Sequence, residues 1–293
     1  MPTLRETRTR ISAVRNTSKI TQAMQMVAAA KLRRAQDGVL SARPYFTQIT
    51  GILANLAAAE TDFVHPFFEQ RKHVRAVTII AVSSDRGLCG AFNANVIRAT
   101  VQRVQEIRAN DPECAITVIP VGRRIVLAFR KRAEAIAKEY PDVFAKLEFT
   151  TAAEIAETVS DSFLNGTTDR VEVICNEFVS IIRQEVRSSQ LLPILPVKRE
   201  GAAHHPVDYI FEPTRADILD SLLPRYTQVM VWKALLESNA AEQAARMMAM
   251  DSATSNAKEL LTNLQLIYNR ARQAAITKEM LEIVGGAEAL SSN

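Results

Sequence analysis

Apolar and small residues recur at Leu4, Ile11, Val14, Ala28, Leu32, Ala35 and Val39, at separations that are threes, fours and their sums. Polar Ser18, Thr21 and Gln25 fall on the same face. This spacing predicts a long helix over roughly residues 3–58 with a small, partly polar seam. A seam of that kind lets a second helix approach closely. Pro44 lies inside the stretch and predicts a kink or an irregular turn.

The far end of the chain repeats the pattern. Ala240, Ala244, Met247, Met250, Thr254, Ala257, Leu261, Leu264, Tyr268, Ala271 and Ala275 are separated mostly by alternating threes and fours. Pro213 stands where a helix can begin, and Pro224 predicts a turn or a kink. From Tyr226 to Val284 there is no proline, and a continuous helix over that stretch would be roughly 90 Å long at about 1.5 Å per residue. Gly285 and Gly286 predict its loosening or end. A helix this long needs a long companion. The N-terminal stretch matches it in character, although spacing alone does not choose between antiparallel pairing within the chain and a fibrous dimerisation rod.

Between the two stretches the period changes. Val74–Val82 is an apolar, β-branched run that ends at Ser83, Ser84, Asp85 and Gly87, which predicts a strand followed by a turn. A helix is expected over Asn93–Arg108, a strand over Ala115–Val121 ending at Gly122, and a helix over Arg124–Tyr140 stopped by Pro141. Phe144–Phe149 reads as a short strand, Ala152–Phe163 as a helix and Val171–Phe178 as a strand. Leu191–Val197 carries Pro193 and Pro196 and suits only an edge or bulged strand. Strands alternating with helices predict an open α/β domain. The expected organisation is an N-terminal helix over 1–60, an inserted α/β domain over 70–205 and a C-terminal helix over 210–293.

Composition narrows the function classes. A hydrophobic fraction of 47% is that of a folded chain with material for a core. The 36 Lys and Arg against 32 Asp and Glu say little, but their distribution says more. Arg5, Arg8, Arg10, Arg15, Lys19, Lys31, Arg33 and Arg34 face a lone Glu6 in the first 34 residues, a basic segment suited to nucleic acid, anionic lipid or an acidic protein partner. Cys89, Cys114 and Cys175 are odd in number and far apart, which argues against a disulfide framework or a paired-cysteine zinc site and for a reducing compartment. Apolar runs are too short to span a bilayer. An Arg-rich transit peptide is disfavoured because patterned helix with acidic residues begins almost at once.

Candidate chemistry is sparse. Neither a GxxxxGKS or GxxxxGKT phosphate loop nor a GxGxxG fingerprint occurs. Ser83–Gly90 follows a strand, but without a lysine or a second glycine pair it reads as a structural turn in which Asp85 or Asn93 satisfies exposed amides. Cys89 near Arg86 invites the idea of an activated thiol; a buried, inert cysteine is the plainer reading. His65, His73, His204 and His205 lack the spacing of a closed metal site, and no nucleophile elbow is present.

Several stretches together resemble a known family. ITKEMLEIVGGA at 276–287, YNRARQAAIT at 268–277 and AEQAARMMAMDSAT at 241–254 are similar to the C-terminal helix of the gamma subunits of F-type ATP synthases. NTSKITQAMQMVAAAKLRRAQ at 16–36 and SSDRGLCGAFN at 83–93 resemble the same family, in the same order. The resemblance implies a long antiparallel coiled coil of N- and C-terminal helices with an inserted Rossmann-like open α/β domain.

It also implies a rotating central stalk, one copy per complex, inside an alpha3beta3 hexamer, joined to an epsilon subunit and a c-ring. Such a shaft couples proton or sodium flow to ATP synthesis at beta-subunit sites, reversibly, and has no catalytic, cofactor-binding or metal-binding residue and no nucleic-acid partner of its own. The same resemblance assigns beta-subunit contacts to Met24, Arg272 and Gln273. It places the chain peripherally on the cytoplasmic face of a bacterial energy-transducing membrane. The scattered cysteines make thiol regulation of the plant chloroplast type doubtful.

Overall fold

The computed structural model describes residues 3–58, 65–71, 73–132, 134–195 and 214–291. The elements in order are α1 (Leu4–Ala58), β1 (Ala76–Val82), α2 (Phe92–Asn110), β2 (Ala115–Val121), α3 (Arg123–Phe129), β3 (Ala135–Ile136), α4 (Phe149–Leu164), β4 (Arg170–Phe178), β5 (Gln184–Leu192) and α5 (Arg215–Ser291). Short 3-10 turns occupy Pro66–Phe68 and Val143–Ala145. The described chain divides into two compact units, one of 28–246 and one formed by the outer parts of the two long helices, up to Val27 and from Met247.

The larger unit is built on a five-stranded sheet of order β3-β2-β1-β4-β5. β1 pairs in parallel with β2 and β4, β2 in parallel with β3, and β5 closes one edge antiparallel to β4. The runs of β1 and β2 are almost wholly apolar because both faces of the sheet are covered there. Val77, Ile79, Ala81, Ile116, Val118 and Ile174 pack with Val96, Val104 and Ile107 of α2 and with Ile125 and Phe129 of α3. Ile80, Val82, Ile119, Val121, Val171 and Val173 enter a second cluster with Ala152, Ile155, Val159 and Phe163 of α4. That cluster also takes in Phe46, Ile49 and Leu53 of α1 and Leu219, Leu223, Tyr226, Leu235 and Leu236 of α5. Alternate residues of β1 therefore enter opposite clusters, one on each face of the sheet, and each cluster is closed by helices.

Neither proline ends its helix: α1 runs through Pro44 and α5 through Pro224. Each removes one main-chain donor at a cost of about 3 kcal/mol. Burial of Phe46, Ile49 and Leu53 just after Pro44, and of Tyr226 and Val229 just after Pro224, offsets that cost. Gly285 and Gly286 likewise do not stop α5, which continues to Ser291.

Three local expectations are corrected. The helix expected over Arg124–Tyr140 stops at Phe129; Ala135 and Ile136 instead pair with Thr117 and Val118, and Tyr140 bridges to Val121. Helix-favouring residues in that stretch give way to main-chain pairing at an open sheet edge. Phe144–Phe149 is no strand, since Val143–Ala145 forms a 3-10 turn and Phe149 opens α4. The edge strand begins at Gln184 and ends at Leu192, so it is longer on its N-terminal side than the Leu191–Val197 run implied. Residues beyond Leu195 in that run lie outside the described ones.

Candidate functional site

The smaller unit pairs the outer segments of α1 and α5. The Thr21 and Thr254 hydroxyls lie 2.7 Å apart, and Gln25 Nε2 donates to Asp251 Oδ1 at 2.8 Å. As the number rises on one helix it falls on the other, so the segments are antiparallel partners within one chain. Thr7, Ser18, Thr21, Met250, Thr254 and Ala257 are buried on this seam, with Leu4, Ile11, Val14, Leu261, Leu264, Tyr268, Ala271 and Ala275 half-buried along it. Each buried threonine also returns its hydroxyl to its own helix: Thr21 reaches the Ser18 carbonyl and Thr254 the Met250 carbonyl. A polar pair of this kind specifies register more than it adds stability.

Continuing that register, Ala271 stands level with the start of α1 at Leu4. Beyond Ala275 no other described residue buries α5, and Ile276, Met280, Leu281, Ile283 and Val284 are exposed, Ile283 at 71%. An isolated exposed apolar stripe marks an interaction surface. Ile20, Met26 and Val27 on α1 and Leu260, Leu266 and Ile267 on α5 are exposed as well. These six fall off the seam of threes and fours, displaced from it by one or two positions, so the seam's spacing does not single them out.

Arg272 and Gln273 are adjacent and exposed on α5, whereas Met24 is half-buried on α1, near the level of Asp251. The separation along the axis is roughly 30 Å at about 1.5 Å per residue, so these residues form two places and not one pocket. At both places the two-helix rod presents side chains from a helix surface, suited to contact with another protein.

In the larger unit, ligands of open α/β sheets bind at the carboxyl ends of the strands where the order reverses, here between β1 and β4. The loop after β1 turns its polar side chains onto the chain's own amides. Asp85 accepts the amides of Arg123 at 3.0 Å, Asp142 at 2.9 Å and Phe144 at 2.8 Å. Asn93 accepts from the Ser84 amide and hydroxyl. The amides of Ser84, Arg123, Asp142 and Phe144 are therefore partnered by the chain's own side chains. Cys89 is buried under the same loop, and burial pushes its thiol above the usual range despite the Ser84 hydrogen bond and the nearby Arg246. Burial likewise raises the Glu242 carboxyl, which Arg246 offsets only in part.

Among the described residues no group of three or more His, Cys, Asp or Glu could hold a metal ion, and no helix is long and apolar enough to cross a membrane. His204 and His205 lie outside the described residues.

Comparison with known proteins matches this architecture. A family model described as ATP synthase matches residues 3–290. The ATP synthase gamma chain of Chlorobium phaeobacteroides is 48% identical, over 99% of this chain and 99% of its own length. That of Cytophaga hutchinsonii is 47% identical over 100% of both. Among solved structures, a chain of the Euglena gracilis mitochondrial ATP synthase OSCP/F1/c-ring assembly superposes with a TM-score of 0.68 at 19% identity, covering 98% of this chain and 94% of that one. A chain of the Tetrahymena thermophila mitochondrial ATP synthase central stalk/c-ring superposes with a TM-score of 0.59 at 25% identity, covering 80% and 99%. The chain belongs to the ATP synthase family, among its gamma chains.

Proposed function

We propose that this chain is the rotating central-stalk subunit of an F-type ATP synthase. In that role, one copy stands inside an alpha3beta3 hexamer and joins an epsilon subunit and a c-ring. The observation that carries the reading is the antiparallel seam of α1 and α5 in a chain that also has an α/β unit and is alike over its whole length to gamma chains. The working division is a shaft of 1–60 and 210–293 with 70–205 as the α/β head. The two paired helices are a stiff lever, because bending or twisting either strains the packing of the other. Ion flow, of protons or sodium, turns the ring and with it the shaft, and the asymmetric shaft drives the beta sites through binding, synthesis and release of ATP.

The chain itself carries out no catalysis; nucleotide chemistry belongs to the beta subunits. It is peripheral to the membrane, on the cytoplasmic face in a bacterium, and has no nucleic-acid partner. Met24, Arg272 and Gln273 touch the beta subunits. Arg272 presents a planar fork of donors to acidic groups, Gln273 an amide, and Met24 an adaptable apolar side chain suited to a changing surface. The exposed apolar end of α5 at Ile276–Val284 suits an apolar collar in which a shaft can turn, because non-directional contacts leave no deep angular minimum.

The test is reconstitution with alpha and beta subunits and a visible label on this chain. Sustained ATP hydrolysis should rotate the label. A stable complex that turns over ATP at several sites while the label stays still overturns the proposal. Replacing Arg272 and Gln273 together should reduce torque or assembly more than replacing exposed residues of the α/β head; equal torque and stability in both would remove their assigned role.

A further inference from the structure

We propose that Arg246 is the key that locks α5 against rotation relative to the α/β body of its own unit, by clamping the main chain of the β1–α2 loop. The inference rests on the rotary reading above and names the positioning residue through which torque passes between helix and body.

Arg246 Nη2 donates to the carbonyls of Arg86 at 3.4 Å and Gly87 at 3.3 Å. Its Nη1 pairs with Glu242 at 2.6 Å and donates to Gln243 at 3.3 Å, one helical turn away or less. The Arg246 side chain is 13% exposed and that of Glu242 5%. Glu242 Oε2 has no hydrogen-bond partner. Burying this pair is costly, and an apolar pair of the same volume would pack as well or better. What an apolar pair lacks is directional bonds to main chain.

The carbonyl that Arg246 holds is itself fixed. The Arg86 oxygen also accepts from the Ser84 hydroxyl at 2.6 Å and the Asn93 amide at 3.4 Å. One residue earlier, Asp85 is bonded to three amides around α3 and the Val143–Ala145 turn. A load on the guanidinium therefore enters the carboxyl ends of β1 and β2 directly, through bonds that do not depend on flexible side chains alone.

The clamp sits where the packing of α5 turns shallow, past the Leu219–Leu236 stretch that is buried in the core. Ala240, Ala241 and Ala244 of α5 are fully buried, and Ala241 packs with Cys89 and Phe92. Small residues allow close approach but form shallow ridges, so they resist sliding about the helix axis weakly. Arg246 extends several ångströms beyond the about 2.3 Å radius of the Cα cylinder. A bond at the end of that longer arm opposes a given torque with a smaller force. Arg246 is also the last residue of the larger compact unit along α5.

The experiment uses the assembled complex with Leu164→Cys, an exposed position at the end of α4, carrying the label while the three native cysteines are buried. Arg246→Met should leave ATP hydrolysis and assembly unchanged, broaden the angular variance of the stalled label at least two-fold and lower ion pumping per ATP under load. Arg246→Lys should fall between, since its single ammonium nitrogen would have to serve both Glu242 and the two carbonyls, which the guanidinium reaches through separate nitrogens. Glu242→Leu with Arg246→Met removes the buried charge as well as the clamp; it should fold at least as stably as the single variant and show the same broadening, which separates lost clamping from lost stability. Unchanged variance and unchanged pumping in that double variant overturn the inference. A wild-type label that never rotates would instead overturn the rotary reading itself.

Discussion

The hydroxyls of Thr21 and Thr254 meet at 2.7 Å inside a seam of small, mixed polar and apolar groups, 233 residues apart in the chain. Replacing Thr21 by Val leaves Thr254 with only its bond to Met250 and should cost about 1 kcal/mol, and Thr254→Val should cost a similar amount. Replacing both puts two matched apolar groups in contact and should cost less than the sum, giving a coupling of about 1 kcal/mol in a urea-unfolding double-mutant cycle. Strict additivity would show that the pair contributes nothing beyond its separate helix bonds.

Asp169 ties the entry of β1 to the turn before β4. Its carboxylate takes Arg71 at 2.5 Å and the amides of Arg75 at 2.6 Å and Ala76 at 2.9 Å. Burial pushes this carboxyl up, but the Arg71 bond and the two amides together hold it below the usual carboxylate range. With a depressed folded pKa, the stabilisation is complete above the unfolded value of about 3.9 and is lost as pH falls through the folded value. Asp169→Asn should destabilise the protein by about 2 kcal/mol at neutral pH and flatten the decline in stability below about pH 4. Melting curves from pH 7 to pH 3 check both; a decline of unchanged steepness would assign it to other groups.

Gly122 ends β2 with φ of +96°, and a Cβ there would run into the Ser83 carbonyl oxygen, which is main chain and cannot swing away. Gly122→Ala therefore combines left-handed strain with a clash and should cost about 3 kcal/mol. Gly166 also has positive φ, at +75°, but nothing stands within 4 Å of its added Cβ, so Gly166→Ala should cost about 1 kcal/mol. Equal melting temperatures for the two variants would contradict the steric argument.

The thiols should be silent while the chain is folded. Burial, reinforced by Glu237 and Glu177, pushes Cys175 up to about 12, and Cys114 is also raised, first by burial. At pH 8 a thiol reagent should leave Cys175 unmodified over hours and find all three cysteines only in denaturant. Rapid modification of Cys89 in the native protein would instead indicate that the loop above it opens.

The long helices were legible because a seam of threes and fours repeats over many turns, and each repeat reinforces the same reading. Apolar runs such as Val77–Val82 were legible for a similar reason, since a strand covered on both faces has few polar interruptions. β5 was not. Its Gln184–Gln190 portion is polar and partly exposed at a sheet edge, and it forms a strand because β4 offers an unpaired row of main-chain groups. The stop of α3 at Phe129 has the same origin, as the sheet edge competes for residues whose local preference is helical.

For the candidate contacts, motif resemblance pointed to Met24, Arg272 and Gln273, while only coordinates place the last two on exposed helix about 30 Å from the first. Arg246 lay within a quoted motif, yet its bonds to Arg86 and Gly87 join parts of the chain 159 and 160 residues apart. By itself the sequence determined which segments are helical, which face of each is apolar, and that the two long seams are alike, because periodicity is a local property. The direction of their pairing, the amides that the loop after β1 takes up and the anchor of α5 were decided by tertiary structure. They depend on hydrogen bonds between residues that no local spacing brings together.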